Sequence, residues 1–163
     1  MERPVCPRCD KDFTRRARRR SAWEHALSLL YAYPFRCQLC THRFVRFQWG
    51  AKYTRGTPDQ REYCRVLVSM PVLFSRGREE TSGMIVNLSM RGCALESSEP
   101  LQSGEILSLN MKGGNGFPPI TIEAAVVRCC QKQRAALEFL RMQSGERASI
   151  RRVIEPLLRE QPG

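Results

Sequence analysis

The chain has 163 residues, 42% hydrophobic and 26% charged, a size and balance that suit one ordinary domain with an appendage or two small domains. No apolar run approaches the length of a membrane-crossing helix, and the opening Met-Glu-Arg-Pro has no signal-peptide core, so a cytoplasmic protein without a membrane span is expected. The net charge of +11 is uneven: residues 1–55 hold thirteen Lys/Arg against four Asp/Glu, or +9, and residues 56–163 hold fourteen against twelve, or +2.

That charge step, with the turn-forming run Arg55-Gly56-Thr57-Pro58-Asp59, sets a boundary after residue 55. Within 1–55, Cys6-Pro7-Arg8-Cys9 and Cys37-Gln38-Leu39-Cys40 are two C-x-x-C knuckles. Each knuckle turns two thiolates toward one point, and two knuckles complete a tetrahedral Cys₄ shell for Zn²⁺. The segment is too short and polar to fold on apolar burial alone, so the metal would supply much of its folding free energy. It resembles a zinc ribbon over roughly residues 4–48, with a closed, structural site at Cys6, Cys9, Cys37 and Cys40. His42 is near enough in sequence to compete as a ligand, but four thiolates already fill the shell.

Between the knuckles, Ser21 and Glu24 form a candidate capping box, and Trp23, Ala26, Leu27, Leu30 and Tyr31 share one helical face. Pro34 is expected to stop that helix. Residues 42–47 alternate as a strand. Arg15 to Arg20 is the densest basic run, read either as a phosphate-binding patch for nucleic acid, anionic membrane or an acidic partner, or as a solvated segment. Phe13, Phe44, Phe47 and Trp49 could stack with bases or form the ribbon's small core.

Next come Arg61-Glu62-Tyr63-Cys64-Arg65, with two guanidinium forks four residues apart, and an alternating strand from Val66 to Phe74. Met84 to Val86 leads into Asn87-Leu88-Ser89-Met90-Arg91-Gly92, and Cys93 to Leu95 continues as a short strand. Further strands are expected at Ile106–Met111, at Ile120–Val127 and around Ala135, Leu137 and Phe139, with residues 112–116 as a loop and 128–134 as a hairpin turn. Cys93 reads as a buried thiol, and Cys129-Cys130 as an inert pair in that turn. Ser144 caps a last helix, whose Ile150, Val153, Ile154, Leu157 and Leu158 share a face; Pro156 interrupts it. Six short strands and a helix predict a mainly β fold, a small closed antiparallel barrel with a C-terminal helix.

The pair R-x-x-x-R and [D/N]-x-S-x-x-G, in this order ahead of and within such a barrel, resembles the signature of the PilZ family, which binds cyclic di-GMP. The resemblance covers roughly residues 59–160. It implies a six-stranded PilZ-like barrel with a C-terminal helix at 66–163, preceded by a ligand-clamping linker at 56–65 and the ribbon at 1–55. It implies that Arg61 and Arg65 hold phosphates and one guanine, that Asn87 and Ser89 bond a guanine, and that Gly92 leaves the ligand room. Asn87 stands where many members carry aspartate, and Gln60 where some carry a further arginine. Both histidines lie in the N-terminal segment and no nucleophile–base pair is evident, so a receptor signalling to a downstream protein is expected and not an enzyme. The alternatives are a zinc-ribbon regulator that binds nucleic acid through Arg15–Arg20, and a PilZ adaptor that has lost its ligand.

Overall fold

The computed structural model describes residues 4–50, 63–113 and 118–160. The linker residues 56–62, Arg61 among them, and much of the loop expected at 112–116 lie outside the described residues. The chain divides into two compact units, Met1–Cys64 and Arg65–Gly163.

The first unit is a three-stranded antiparallel sheet of β1 (Thr14–Arg16), β2 (Ala32–Cys37) and β3 (Arg43–Phe47), with helix α1 (Ala22–Leu29) packed on β2. Its apolar centre is small: Ala17, Tyr33, Phe35 and Leu39 are buried, and Phe35 stacks on Phe44 at 6.0 Å. Only the last of these strands was legible in sequence. β1 is three residues long, and β2 contains Pro34, which was expected to end the helix. The helix stops earlier, where Leu30 and a left-handed Tyr31 (φ +59°) close its last turn on the carbonyls of Leu27 and Ser28. Pro34 lies inside the central strand, opposite Val45 of β3; its carbonyl accepts the Ala17 N–H just past the last β1 pair at Phe35, so the N–H it lacks falls where the β1 ladder has already ended.

The expected apolar face of α1 packs only in part: Leu27 and Tyr31 are half-buried, and the Tyr31 ring lies 5.3 Å from that of Trp49. Trp23 is 57% and Leu30 65% exposed, and the residue the helix buries is Glu24. Ser21 is extended as an N-cap must be but makes no side-chain cap bond. Glu24 reaches back past the cap: its carboxylate accepts the N–H of Arg20, the residue before Ser21, at 2.6 Å and pairs with the Arg43 guanidinium. Burial pushes the Glu24 carboxyl up. The hydrogen bonds from Arg43 and the Arg20 N–H, with the Arg43 charge, outweigh that and hold it below the ordinary carboxylate value.

The second unit is a closed barrel of β4 (Val66–Arg76), β5 (Glu79–Ser89), β6 (Gly92–Glu96), β7 (Ile106–Met111), β8 (Ile120–Gln131) and β9 (Arg134–Met142), in the order β4-β5-β6-β9-β8-β7. Alternation sends one face of every strand inward. Val66, Ile85, Leu88, Leu95, Leu107, Met111, Ile120 and Ile122 are fully buried, and each such side chain contributes about 1.5–3 kcal/mol. β5 begins several residues earlier than its apolar part suggests, because polar Glu79 to Ser82 pair with β4 across a tight turn at Gly77. Likewise β8 runs through Cys129 and Cys130 to a turn at Lys132 (φ +54°), so the two thiols sit on a strand and not in the turn.

Helix α2 (Glu146–Glu160) packs against β8, β4 and β5 through Ile150, Val153 and Ile154. Gly145 (φ +111°) precedes it, and its carbonyl accepts the N–H groups of Ala148 and Ser149, so the cap lies one residue after Ser144. Pro156 is exposed within the helix. None of the helices among the described residues is long and apolar enough to cross a membrane.

Candidate functional site

Two places bring chemistry-bearing side chains together, one in each unit. In the first, the sulfur atoms of Cys6, Cys9, Cys37 and Cys40 all lie within 4.8 Å of one another. Cys6 and Cys40 are 3.5 Å apart, and Cys9 and Cys37 3.6 Å. Four thiolates at about 2.3 Å from one Zn²⁺ would stand about 3.8 Å apart, so the set has the size of a tetrahedral site. The N–H groups of Leu39 and Cys40 point at the Cys37 sulfur, as a thiolate ligand requires. Burial raises the thiols of Cys9, Cys37 and Cys40. At Cys6 the same burial is outweighed by the Arg8 N–H and the Cys40 thiol, and the value falls. His42 stands apart from the cluster: its ring stacks on Phe44, and its carbonyl receives the Cys37 N–H.

The Arg15–Arg20 run is built into the first unit. Arg16 lies over the Tyr33 ring at 4.4 Å and donates to Gln48, and Arg19 donates to Ser28. The Arg20 N–H is held by Glu24, and the Arg18 carbonyl by Arg43. Of the four aromatics considered for stacking, Phe44 joins the core, while Phe47 and Trp49 are exposed and contact each other at 5.7 Å.

The second place is the start of β4 and the end of β5. Two bulges flank it. The β4–β5 register shifts between Leu67 and Met70, and the β5–β6 register between Ile85 and Asn87. Bulges bend a strand and re-aim its side chains. Here they leave Leu67 paired with Asn87 and Val66 with Leu88, so that Arg65 enters β4 one step from Ser89. Val66 and Leu88 point into the core, while Arg65 and Leu67 are exposed.

Asn87 is the anomaly of this face. Its Oδ1 is buried and has no hydrogen-bond partner among the described residues. Leaving such an acceptor unsatisfied costs about 1–3 kcal/mol. Ser89 is 5% exposed and donates its hydroxyl to the Gly92 carbonyl at 2.9 Å, leaving acceptor capacity on its oxygen. A Cβ at Gly92 would stand 2.2 Å from the Leu137 carbonyl oxygen of β9. The β6–β9 pairing therefore demands glycine there whether or not a ligand does. Burial pushes the Cys93 thiol up to about 12, against the opposing charge of Arg65. Leu67, 71% exposed beside Asn87, is a member of this face that the motifs do not contain. Strand alternation from Arg65 would have found it.

The sequence pattern of the PilZ domain matches residues 59–155, which is more than half of the chain. The chain belongs to the PilZ family. Its fold is similar to that of the PilZ domain of YcgR from Escherichia coli with c-di-GMP (18% identity, 62% of this chain and 93% of that one, TM-score 0.51). It is also similar to the Bacillus subtilis inhibitor of motility MotI/DgrA (20%, 80% and 66%, TM-score 0.54) and to the Klebsiella pneumoniae MrkH–c-di-GMP complex (14%, 90% and 77%, TM-score 0.50). No curated protein sequence matches this PilZ chain.

Proposed function

We propose that this PilZ protein is a receptor for cyclic di-GMP, not an enzyme. The dinucleotide is held between Arg61 and Arg65 of the linker 56–65 and the barrel face formed by Asn87, Ser89 and the Gly92 turn. One observation carries the reading: the buried Oδ1 of Asn87, which has no hydrogen-bond partner among the described residues, beside an exposed arginine and an exposed leucine. Guanine offers N1–H and N2–H on one edge, which is the donor pair such an acceptor lacks. Arginine forks suit phosphates and the guanine O6/N7 edge, and Leu67 gives a purine an apolar surface. Two of the solved PilZ structures of similar fold are described with c-di-GMP, which supports the same ligand class.

The ribbon at 1–55 is proposed to hold one structural Zn²⁺ on Cys6, Cys9, Cys37 and Cys40, and to serve as the module through which the receptor meets a downstream protein. Four thiolates close the shell, so this metal would organise backbone and leave no open position for a reaction. The test is calorimetric titration of zinc-loaded protein with cyclic di-GMP, beside Arg65→Ala. Saturable binding that weakens at least ~10-fold in the variant is expected, since a charge-assisted bond contributes about 1.5–3 kcal/mol. Absence of binding at high micromolar ligand contradicts the proposal.

A further inference from the structure

Directly before the clamp residue Arg65, the dipeptide Tyr63-Cys64 is fastened to Arg36 and to Gln38 of the second cysteine knuckle. Gln38 lies inside Cys37-Gln38-Leu39-Cys40 and is only 5% exposed. Its Oε1 accepts the backbone N–H of Cys64 at 2.7 Å, and its Nε2 donates to the Arg36 carbonyl at 3.2 Å. Its own N–H donates to the Phe13 carbonyl at 2.8 Å, which fixes its backbone on the strand beside β1. The neighbouring Arg36 donates to the Tyr63 hydroxyl, and its guanidinium lies 5.4 Å from the centre of that ring. Tyr63 and Cys64 therefore belong to the first compact unit, while Arg65 opens the second. The R-x-x-x-R motif straddles the division.

We infer that Gln38 and Arg36 are positioning residues for the ligand clamp, and that they couple Zn²⁺ on the cysteine set to cyclic dinucleotide binding at the barrel. This rests on the receptor reading above. A metal-bound knuckle holds Cys37 and Cys40 in place, and with them the intervening Gln38. Gln38 then holds the backbone at Cys64, the residue directly before Arg65, so the approach to Arg65 is ordered before ligand arrives. Without metal the knuckle loses its fixed geometry and the dipeptide must be ordered at the moment of binding. Zinc should thus raise ligand affinity about five- to tenfold. By linkage the ligand must raise zinc affinity by the same factor. Arg36 and Gln38 neither touch the ligand nor bind the metal in this arrangement; they act through Tyr63 and Cys64.

The experiment titrates cyclic di-GMP into zinc-loaded and chelator-stripped full-length protein, then into zinc-loaded Gln38→Leu, Gln38→Glu and Tyr63→Phe, with zinc content counted in each. Gln38→Leu removes the acceptor and should bind five- to tenfold more weakly, near the stripped protein. Gln38→Glu keeps an oxygen for the Cys64 N–H and should stay near wild type. Tyr63→Phe lies outside the knuckle and should lose about two- to threefold. Zinc affinity by chelator competition should rise with ligand in wild type and stay flat in Gln38→Leu. Equal ligand affinity in loaded, stripped and variant proteins overturns the coupling while the receptor reading stands. If Gln38→Leu fails to hold zinc, an unchanged Tyr63→Phe overturns it instead. No binding in any form overturns the receptor reading and this inference together.

Discussion

The barrel and the ribbon are held together by different physics. The barrel closes all six strands on one another and lines its interior with fully buried Val, Ile, Leu and Met side chains. The ribbon has three short strands, four buried apolar side chains around Phe35, and a helix whose one buried member is a carboxylate. It also leaves Trp23, Leu29, Leu30, Phe47 and Trp49 exposed. A unit so built is expected to depend on the proposed metal at its cysteine cluster, whereas the barrel has a core of its own. Both tryptophans, 23 and 49, and all four tyrosines lie at or before residue 63, so near-ultraviolet spectroscopy sees the ribbon and is nearly blind to the barrel.

The comparison is broken most strongly by removing the metal. Structural zinc contributes about 10–16 kcal/mol in small zinc-binding peptides. Chelation, or Cys37→Ser, should therefore abolish the near-ultraviolet signal of the ribbon. The far-ultraviolet melting transition of the barrel should stay within a few degrees of its starting point. Loss of both signals together would show that the units do not differ in this way.

On the barrel side, Gly92→Ala places a methyl group against the Leu137 carbonyl and should cost about 3 kcal/mol, read as a lower urea midpoint. Tryptophan fluorescence of the ribbon should be untouched by it. A barrel of unchanged stability would mean that β6 and β9 can separate without penalty.

Glu24 sharpens the ribbon side. Its folded carboxyl lies below the ordinary value of 4.5, so the unfolded chain takes up the proton first as pH falls. The stability it contributes is complete above that ordinary value and disappears as pH drops through the folded one. Glu24→Gln should destabilise the zinc-loaded ribbon by about 1–2 kcal/mol at pH 7. The gap from wild type should close in acid, and a gap that widened instead would reverse the sign of the account.

How much of this was legible in the sequence also follows the division. Alternation from Val66 to Phe74 and at Ile106–Met111 revealed the barrel because the residues these strands bury are apolar. In the ribbon the same rule failed. The period that joined Trp23, Ala26, Leu27, Leu30 and Tyr31 described a face of which only Leu27 and Tyr31 are half-buried, since a unit with so few buried apolar side chains has no large core to enforce it. Pro34 misled for a related reason: β1 is so short that its pairing with β2 stops at Phe35, which leaves the Pro34 nitrogen no partner to miss. The cysteine cluster was legible because its two C-x-x-C pairs are regularly spaced, and the family because the order of the two motifs agrees with the strand pattern. The bulges that aim Asn87, the partner of Ser89 and the tie from Gln38 to Cys64 were not, because each depends on strand register or on residues far apart in the chain.

The central claim is that Asn87 is kept for a ligand and not for the fold. Asn87→Ala, titrated with cyclic di-GMP and melted beside wild type, tests it most directly. The account predicts that removing a buried, unpartnered acceptor leaves the ligand-free barrel as stable or about 1 kcal/mol more so, while ligand affinity falls at least ~10-fold. A barrel that melts clearly earlier while binding is unchanged would contradict it and make Asn87 a structural residue.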